Sequence, residues 1–589
     1  MPLLSWSTKL LTLLLTTTAI QAAWAQEDQQ HKTKYGVLSL VPQPVSMAVV
    51  VDDKVYPLHQ SNLTSLLYTG DAPAPSQGYY FAKTSDGQHV TEREPFTRNL
   101  DGRPGDDIYY EVYNRSVNAH PMKDMPQYLE PLESIHRIDS DLHRYNEIAT
   151  VHFTTANQSA IDYMHTNVTA DFQVVCNMTY IRGDEIQTFD GVELELAGRS
   201  SRLTPKLSYN IKIPKGQKLY DYRRLKLRSL FSDPSYVRES MAYRIIESTG
   251  LAASKFSYIR VFINNEAAGL FGIIENYKNP WAKNEFANGD DDYPGYSRGN
   301  LYQGHLGEPP KTFSDLSYLG DNVTAYDAGQ YKIKEDPSEG KPDYAPLMNL
   351  TRFIAHAPTN TSNAVEEWNK HFDMESVLRS MALEVLVGYS DGYLTLADNY
   401  YVYQMGVNST RFLFIPSDLD MTFGSTLVKM SDMLSGDYNR FPGLHDRPLT
   451  TQFLRVPEFK DRFEELLKNL ATDLVTPKVL DPVIDDTVNM IRPDVEWDLT
   501  LPRLSKFNFS NAEDAMGDLM DMSSDQASQF NMPSTVDNAT VTELFTGATS
   551  NVTFDQAISG HLGLLSLASI KEFIANQSSA TQEYYHRRQ

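Results

Sequence analysis

Short apolar runs separated by turn residues mark the first third of the chain. Apolar and polar positions alternate within many of these runs with the period of two that is typical of half-buried strands. The runs predict strands at residues 35–40, 46–51, 55–58, 107–113, 148–153 and 171–176. We therefore expect a β-rich domain over residues 26–181.

Strands and helices are mixed in the segment that follows. Asp233 and Pro234 are the residue types of a helix N-cap and first turn, and Gly250 is the type that ends a helix in a left-handed conformation. Two apolar runs, residues 258–263 and 270–274, are connected through Asn and Gly, which favours a β-hairpin. This segment is therefore expected to be α+β.

Patterns in the rest of the chain are mostly helical. Residues 280–310 are rich in Gly, Asp, Pro and Tyr and predict an exposed insertion. The polar composition from residue 504 to about 560 predicts loose structure. Periodic apolar positions predict a buried strand at 412–415 and helices at 372–389, 457–474, 480–491 and 564–575.

The strongest candidate chemistry lies between residues 390 and 424. Asp418 and Asp420 follow the apolar run 412–415, and carboxylate oxygens at the end of a strand are ligands that Mg²⁺ prefers when it binds phosphate. Asn399 precedes that strand, and Asp391 precedes Asn399. This order resembles the catalytic half of a protein kinase, with Asp391 as candidate base and Asn399, Asp418 and Asp420 as candidate metal ligands.

These residues also have structural interpretations. Asp391 is followed by Gly392, and Asp-Gly pairs commonly form turns. Asp391 also lies eight residues before Asn399, a wider spacing than that of kinases, and Asp398 is an alternative base. Paired acids such as Asp418 and Asp420 occur in turns as well, but their position after a buried strand favours a metal site.

Candidate phosphate ligands are less distinctive. The sequence has no Walker loop and no Gly-x-Gly-x-x-Gly loop. Arg199 and Ser200 follow Gly198 and offer a guanidinium, a hydroxyl and backbone donors, although an exposed turn has the same composition. Lys206 and Lys226 lie on or beside predicted strands, where they are either nucleotide ligands or solvated edge residues.

Composition and charge narrow the functional classes. The chain is 41% hydrophobic and 11% aromatic, as expected for a globular protein rather than a disordered one. Its formal net charge of −24 argues against nucleic acid as a partner, because phosphate backbones are bound by clustered Lys and Arg. Metal ions and basic partners fit this charge better.

Other signals indicate export from the cell. Residues 1–25 have the form of a secretory signal peptide, and thirteen Asn-x-Ser/Thr sequons agree with a eukaryotic secretory pathway. We see neither a glycosylphosphatidylinositol signal nor an apolar stretch long enough for a transmembrane segment. Cys176 is the single cysteine, so no intramolecular disulfide forms. We expect a secreted protein, extracellular or held in a cell wall or spore surface.

Several blocks in one order resemble the spore coat protein H (CotH) kinase family, including its secreted, invasin-type members from Mucorales fungi. The blocks are Ala-Gly-Arg-Ser-Ser (197–201), Lys-Leu-Ser-Tyr (206–209), Asp-Pro-Ser-Tyr-Val-Arg-Glu (233–239), Gly-Leu-Phe-Gly (269–272) with Glu275, Asp-Gly-Tyr-Leu (391–394), Asp-Asn-Tyr-Tyr (398–401) and Asp-Leu-Asp-Met-Thr-Phe-Gly (418–424).

The resemblance implies an α+β fold in which an atypical protein-kinase-like domain at residues 182–503 follows the β-rich domain. Residues 504–589 then form a Ser/Asn/Asp-rich segment with a C-terminal helix. ATP and Mg²⁺ or Mn²⁺ are the implied cofactors.

Further site residues are implied by the same resemblance. Lys206 is the first candidate for the phosphate-binding lysine and Lys226 the second. Glu239 is the candidate ion-pair partner of that lysine. Glu275 is expected near the nucleotide, and Arg199 and Ser200 are expected to contact its phosphates.

The resemblance implies two functions. Bacterial members phosphorylate spore coat proteins, which implies a kinase acting on Ser or Thr of coat or surface proteins. Fungal members are surface invasins, which implies an adhesin that binds host-cell receptors with the kinase-like fold as a scaffold. The Asp-x-Asp pair also fits a nucleotide-sugar glycosyltransferase, which the family blocks disfavour. Arg-Gly-Asp at residues 182–184 is an integrin-binding tripeptide only if it lies on an exposed loop.

Overall fold

A computed structural model of the chain describes residues 32–41, 44–101, 108–198, 200–306, 313–506, 534–545 and 551–588. The signal peptide expected at residues 1–25 lies outside this part of the chain. The first sheet has seven strands in the order β6-β5-β2-β3-β4-β1-β7. Its strands are β1 (Lys32–Leu38), β2 (Ser46–Val51), β3 (Lys54–Gln60), β4 (Leu67–Pro73), β5 (Tyr79–Thr84), β6 (Val90–Arg93) and β7 (Tyr109–Val112).

The second sheet closes into a seven-stranded barrel in the order β10-β11-β12-β14-β13-β8-β9. Its strands are β8 (Ala149–Thr154), β9 (Gln173–Ile181), β10 (Ile186–Leu196), β11 (Tyr209–Lys212), β12 (Arg224–Arg228), β13 (Phe256–Ile263) and β14 (Glu266–Glu275). Strands β8 and β9 precede the predicted domain boundary at residue 181, so this boundary runs through one sheet.

The third sheet is antiparallel, with four strands in the order β16-β15-β17-β18. Its strands are β15 (Leu301–Gly304), β16 (Tyr331–Glu335), β17 (Tyr400–Gln404) and β18 (Phe412–Pro416). Every residue of β18 is buried, as expected from the apolar run at 412–415.

Several helices pack against the barrel and the third sheet. The helices are α1 (Gln158–Thr166), α2 (Arg238–Ser248), α3 (Trp281–Phe286), α4 (Ala345–His356), α5 (Ala364–His371), α6 (Met374–Val387), α7 (Tyr393–Leu396), α8 (Met430–Met433), α9 (Pro448–Phe453), α10 (Pro457–Asp473), α11 (Pro477–Thr500), α12 (Asn538–Phe545), α13 (Phe554–Ser559) and α14 (Ile570–His586). Short 3₁₀ turns occur at Ser200–Leu203, Val323–Tyr326 and Tyr438–Arg440. The chain is therefore of mixed α/β composition, in agreement with the α+β expectation.

Helix α11 connects the barrel to the first sheet through a buried carboxylate. Asp494 accepts hydrogen bonds at 2.7 Å from Arg260 on β13 and from Arg115, which follows β7. Asp494 is completely buried, and the two guanidinium groups compensate for the loss of its hydration. None of the helices in the described ranges is long and apolar enough to cross a membrane.

Three local predictions need correction. Helix α2 begins at Arg238 rather than beside Asp233, because the Asp233 carboxylate accepts the N–H groups of Ser235 and Arg238 in a turn and Tyr236 has a φ of 58°. The predicted exposed insertion at 280–310 contains the buried helix α3, in which Trp281 belongs to the main core.

The C-terminal helix lies later in the chain than residues 564–575. Helix α14 spans Ile570–His586, with Ser569 at its N-cap position. Phe573 and Ile574 are fully buried, and the Gln577 side chain donates to the carbonyl of Val385 at 2.8 Å. This helix therefore packs against α6, which leads into the candidate site.

Candidate functional site

The hairpin of β17 and β18 places two candidate ligands at one end of the third sheet. Tyr400 is paired with Pro416, so Asn399 and Asp418 lie just beyond the same end of the hairpin. The N–H of Ser417 donates to the carbonyl of Asn399 at 3.0 Å. Asn399 and Asp418 have φ values of 56° and 60°, a conformation that is uncommon for residues other than glycine.

The chain segment after α6 brings Asp391 to Asn399. The Asn399 side-chain amide donates to Asp391 Oδ2 at 2.8 Å. Asp391 Oδ1 is buried and makes no hydrogen bond. Burial, followed by the negative charges of Asp420 and Asp418, raises the pKa of Asp391 well above its ordinary value. Asp391 thus lies in a site with excess negative charge.

Arg228, the last residue of β12, is at the centre of this site. Its Nη1 lies 2.5 Å from Asp418 Oδ1, and its Nη2 lies 3.2 Å from Asp420 Oδ1. Its Nε donates to Glu239 on α2 at 2.9 Å. Lys226, two residues earlier on the same strand, has its Nζ 3.6 Å from Asp418 Oδ2. We call this group the carboxylate cluster; it contains Asp391, Asn399, Asp418, Asp420, Glu239, Lys226 and Arg228.

The two acids after β18 have different electrostatic environments. Burial would raise the pKa of Asp418, but Arg228 and Lys226 outweigh burial and lower that pKa to about 2. Burial raises the pKa of Asp420, and Arg228 only partly opposes this effect. Burial likewise raises the pKa of Glu239, to about 7, despite Arg228. Asp418 is therefore the most stably ionised of these three acids.

Buried groups behind the site hold its loops together. The Tyr389 hydroxyl donates to the carbonyl of Ser417, and it lies 3.1 Å from the carbonyl of Asp418 and 3.3 Å from that of Asn399. The Glu384 carboxylate accepts backbone N–H groups of α7 at 3.2 and 2.9 Å, directly after Asp391 and Gly392. These contacts fix the segment between α6 and β17 relative to the segment that follows β18.

The structure does not bring Lys206 to the carboxylate cluster. Its ammonium is 2.7 Å from Asp498 on α11, donates to the carbonyl of Leu270 and lies over the ring of Phe271. Lys206 is 3% exposed, so these buried partners occupy the group expected to bind phosphate. Lys226 is the lysine that lies beside Asp418, and which of the two lysines binds phosphate stays a prediction.

Glu275 also lies apart from the cluster. It is paired with Leu225 across β14 and β12, so by strand alternation its side chain is on the face opposite that of Lys226. There its carboxylate contacts His143 at 3.3 Å and Arg137 at 3.7 Å. Glu275 is therefore not part of the carboxylate cluster, and its proximity to a nucleotide stays a prediction.

The remaining predicted residues have separate outcomes. Glu239 enters the cluster, but its partner is Arg228 rather than a lysine. Arg199 lies outside the described residues. Ser200 begins a 3₁₀ turn, and its side chain is outside the described part of the chain.

Arg228 and Ser232 are functional candidates that the sequence interpretation missed. Ser232 donates its hydroxyl to Asp420 Oδ2 at 3.0 Å. The run Arg224-Leu-Lys226-Leu-Arg228 contained a usable signal, because alternation places its basic side chains on one face of a strand. Nothing in the sequence indicated that this face meets Asp418.

The integrin-type tripeptide is not displayed. Arg182 is 3% exposed, and its guanidinium stacks over the ring of Tyr220 at 4.3 Å. Asp184 is bound to Arg144 at 2.8 Å. Because an integrin ligand must present both charged side chains, this segment has a structural role.

The donor chemistry of the cluster fits a hard divalent cation. It offers carboxylate and amide oxygens, including the buried and unpartnered Asp391 Oδ1, and its acids outnumber its cations by two. Within the described residues, however, no three His, Cys, Asp or Glu side chains are already arranged as a metal site. Instead, the guanidinium of Arg228 bridges Asp418 and Asp420.

Comparisons with known proteins agree with the resemblance that the sequence blocks between residues 197 and 424 indicate. Spore coat protein homolog 1 of Rhizopus delemar is 25% identical over 477 residues, covering 79% of this chain and 74% of that protein. Invasin CotH3 of the same fungus is 24% identical, covering 80% and 76% of the two chains. Inner spore coat protein H of Bacillus subtilis is 25% identical, covering 52% and 79%. The profile described as CotH kinase protein matches residues 194–521, more than half of the chain. The chain belongs to the CotH kinase protein family.

Proposed function

We propose that this protein is an ATP- and divalent-metal-dependent protein kinase of the CotH type. It transfers the γ-phosphoryl group to Ser or Thr of a coat or surface protein, and its catalytic domain has a kinase-like fold. The observation that supports this proposal is the meeting of Asp391, Asn399, Asp418 and Asp420 beside Arg228 and Lys226. Carboxylates can bind a divalent metal ion, and basic side chains beside them can bind a polyphosphate.

Each side chain has a defined task in this proposal. Asp418, Asp420 and Asn399 hold Mg²⁺ or Mn²⁺, which when bound neutralises charge on the phosphates. Lys226 and Arg228 offer ammonium and guanidinium donors to phosphate oxygens. Asp391 orients the acceptor hydroxyl and takes its proton. Most of the rate enhancement comes from positioning and from these fixed charges.

Phosphoryl transfer is tested with isosteric variants. Radiolabelled phosphate transfer from ATP to a basic protein acceptor is measured with Mg²⁺ and with Mn²⁺. Asp418→Asn and Asp420→Asn are expected to reduce the rate at least about a hundredfold, because each removes a charge that acts in the transition state. Asp171→Asn is the matched control, since the Asp171 side chain is 97% exposed and lies outside the cluster. Equal rates for all four proteins would exclude the kinase proposal.

An adhesin is the second candidate, favoured by the names of relatives such as invasin CotH2 and invasin CotH3 of Rhizopus delemar. In this proposal the protein is located at a cell or spore surface and binds a host-cell receptor, with the kinase-like fold as scaffold. Binding of the labelled protein to host cells is compared between wild type and Asp418→Asn without ATP. Equal, saturable binding supports the adhesin; absence of binding by both rejects it.

We also propose that the protein is secreted and N-glycosylated. All the sequon asparagines within the described residues are exposed, as an oligosaccharide acceptor must be. They are Asn62, Asn114, Asn157, Asn167, Asn177, Asn322, Asn349, Asn360, Asn408, Asn538, Asn551 and Asn576. A mass decrease after peptide N-glycosidase treatment of protein from the native host's culture medium is expected, and an unchanged mass would refute glycosylation.

A further inference from the structure

Arg228 makes an unusual set of contacts within the carboxylate cluster. Each of its three guanidinium nitrogens is directed to a different acid: Nε to Glu239, Nη1 to Asp418 and Nη2 to Asp420. A guanidinium has five N–H donors in a rigid plane, so it can bridge several carboxylates at once. Arg228 is thus the cation that joins the acids of the site.

This position conflicts with that of a divalent ion. Asp418 and Asp420 are the proposed metal ligands, yet one oxygen of each is already paired with Arg228. A hard cation needs carboxylate oxygens at about 2.1 Å for Mg²⁺, which brings them closer together than a guanidinium between them allows. These oxygens cannot coordinate a divalent ion and keep their ion pairs with Arg228 at the same time.

Building on the proposed function, we propose that Arg228 and a divalent ion compete for Asp418 and Asp420, and that the bound ion displaces the guanidinium. The released guanidinium stays attached through its Nε to Glu239 and presents Nη1 and Nη2 to an anion, which is the polyphosphate of the nucleotide. Metal and nucleotide therefore favour each other's binding through a single side chain.

Other contacts make displacement feasible without disturbing the fold. The Nε–Glu239 contact at 2.9 Å does not involve Asp418 or Asp420. Asp420 keeps its bond from Ser232 through Oδ2. The Asp418 and Asp420 side chains are 35% and 25% exposed, so an ion can reach them from solvent. Lys226 is a weaker competitor, because its ammonium is 3.6 Å from Asp418.

The test measures Mn²⁺ affinity by electron paramagnetic resonance, which detects free Mn²⁺ without any turnover. Without nucleotide, Arg228→Gln is expected to bind Mn²⁺ about tenfold more tightly than wild type, because the competing charge-assisted hydrogen bonds are gone. A non-hydrolysable ATP analogue is expected to tighten Mn²⁺ binding about tenfold in wild type and to have little effect in Arg228→Gln. Arg587→Gln is the control, since it removes a guanidinium whose side chain is 78% exposed and pairs with Glu583.

Arg228→Lys guards against a folding defect caused by leaving Glu239 unpaired. A lysine ammonium cannot span all three acids, so a smaller gain in Mn²⁺ affinity is expected. Unchanged or weaker Mn²⁺ binding by every folded Arg228 variant overturns the inference, and so does absence of Mn²⁺ binding by wild type. Phosphoryl transfer together with unchanged Mn²⁺ affinity refutes this inference alone. If the Mn²⁺ affinities are as expected but no phosphoryl transfer is detected, only the kinase proposal is refuted.

Discussion

Replacement of Lys206 by methionine separates a structural lysine from a phosphate-binding one. Lys206 is buried between Asp498, the Leu270 carbonyl and the rings of Phe271 and Tyr236. Burial lowers the pKa of Lys206 to about 8, although Asp498 acts in the opposite direction. Methionine has a similar length and no charge, so Lys206→Met removes the ion pair and leaves little empty volume.

The expected loss of stability follows from what remains around Asp498. Removing one member of a buried ion pair typically costs about 3–5 kcal/mol, because the other charge stays buried without its partner. Asp498 would keep the Tyr236 hydroxyl at 2.8 Å, the Leu270 N–H at 3.0 Å and the guanidinium of Arg503 at 3.2 Å. These contacts place the expected loss at the lower end, about 3 kcal/mol.

Urea unfolding at pH 7, followed by tryptophan fluorescence, measures this loss. The double variant Lys206→Met with Asp498→Asn leaves neither charge unpaired, so it is expected to lose at least about 1 kcal/mol less than the sum of the single variants. Binding of an ATP analogue by folded Lys206→Met is expected to equal that of wild type. A stability loss below about 1 kcal/mol combined with loss of nucleotide binding would refute the structural role and return Lys206 to the site.

The remaining predictions concern the site and its supports. Lys226→Met is expected to slow phosphoryl transfer at least about tenfold, measured by initial rates; an unchanged rate contradicts its role. Burial raises the pKa of Glu384 to about 8. Between the ordinary pKa of glutamate and pH 8, Glu384 is therefore protonated in the folded state and ionised in the unfolded state. Wild-type stability is thus expected to fall from pH 5 to pH 8, by at most about 1.4 kcal/mol per pH unit from this group, and Glu384→Gln should remove that slope in parallel unfolding curves. Tyr389→Phe leaves the Ser417 carbonyl without its buried donor, and a loss of about 1–3 kcal/mol with faster amide exchange at residues 417–419 is expected; unaltered exchange contradicts it.

Local patterns predicted many elements because their causes are local. The strand at 412–415 and the hairpin before Glu275 follow from apolar runs and turn residues. The helix predicted at 372–389 forms as α6, but it ends at Val387 because Gly388 has a φ of 61°. The buried helix α3 was not predicted, because the high Gly, Asp and Pro content of residues 280–310 indicates an exposed loop and one Trp281 does not change that composition. The start of α2 was missed because the Asp233 carboxylate forms a turn and an ion pair before the helix.

The site residues divide in the same way. Asn399, Asp418 and Asp420 were identified because they flank a predicted strand, and strand pairing then places them at one end of a hairpin. Lys206 was ranked above Lys226 only by the family resemblance, and no strand pattern separates them because both lie in or beside strands of one barrel. Only the tertiary structure determines that Lys206 meets Asp498 on α11 while Lys226 meets Asp418 after β18.

The sequence by itself determined the family, the acidic character of the chain and the acids and amide that flank β17 and β18. Residue type and short-range spacing are enough for these features, since they depend on the covalent chain and on one hairpin. Only the tertiary structure decided that Arg228 joins Asp418 and Asp420, which lie about 190 residues later in the chain. Ion pairs between distant segments form where packed sheets and helices bring opposite charges out of water together, and no local pattern encodes that meeting.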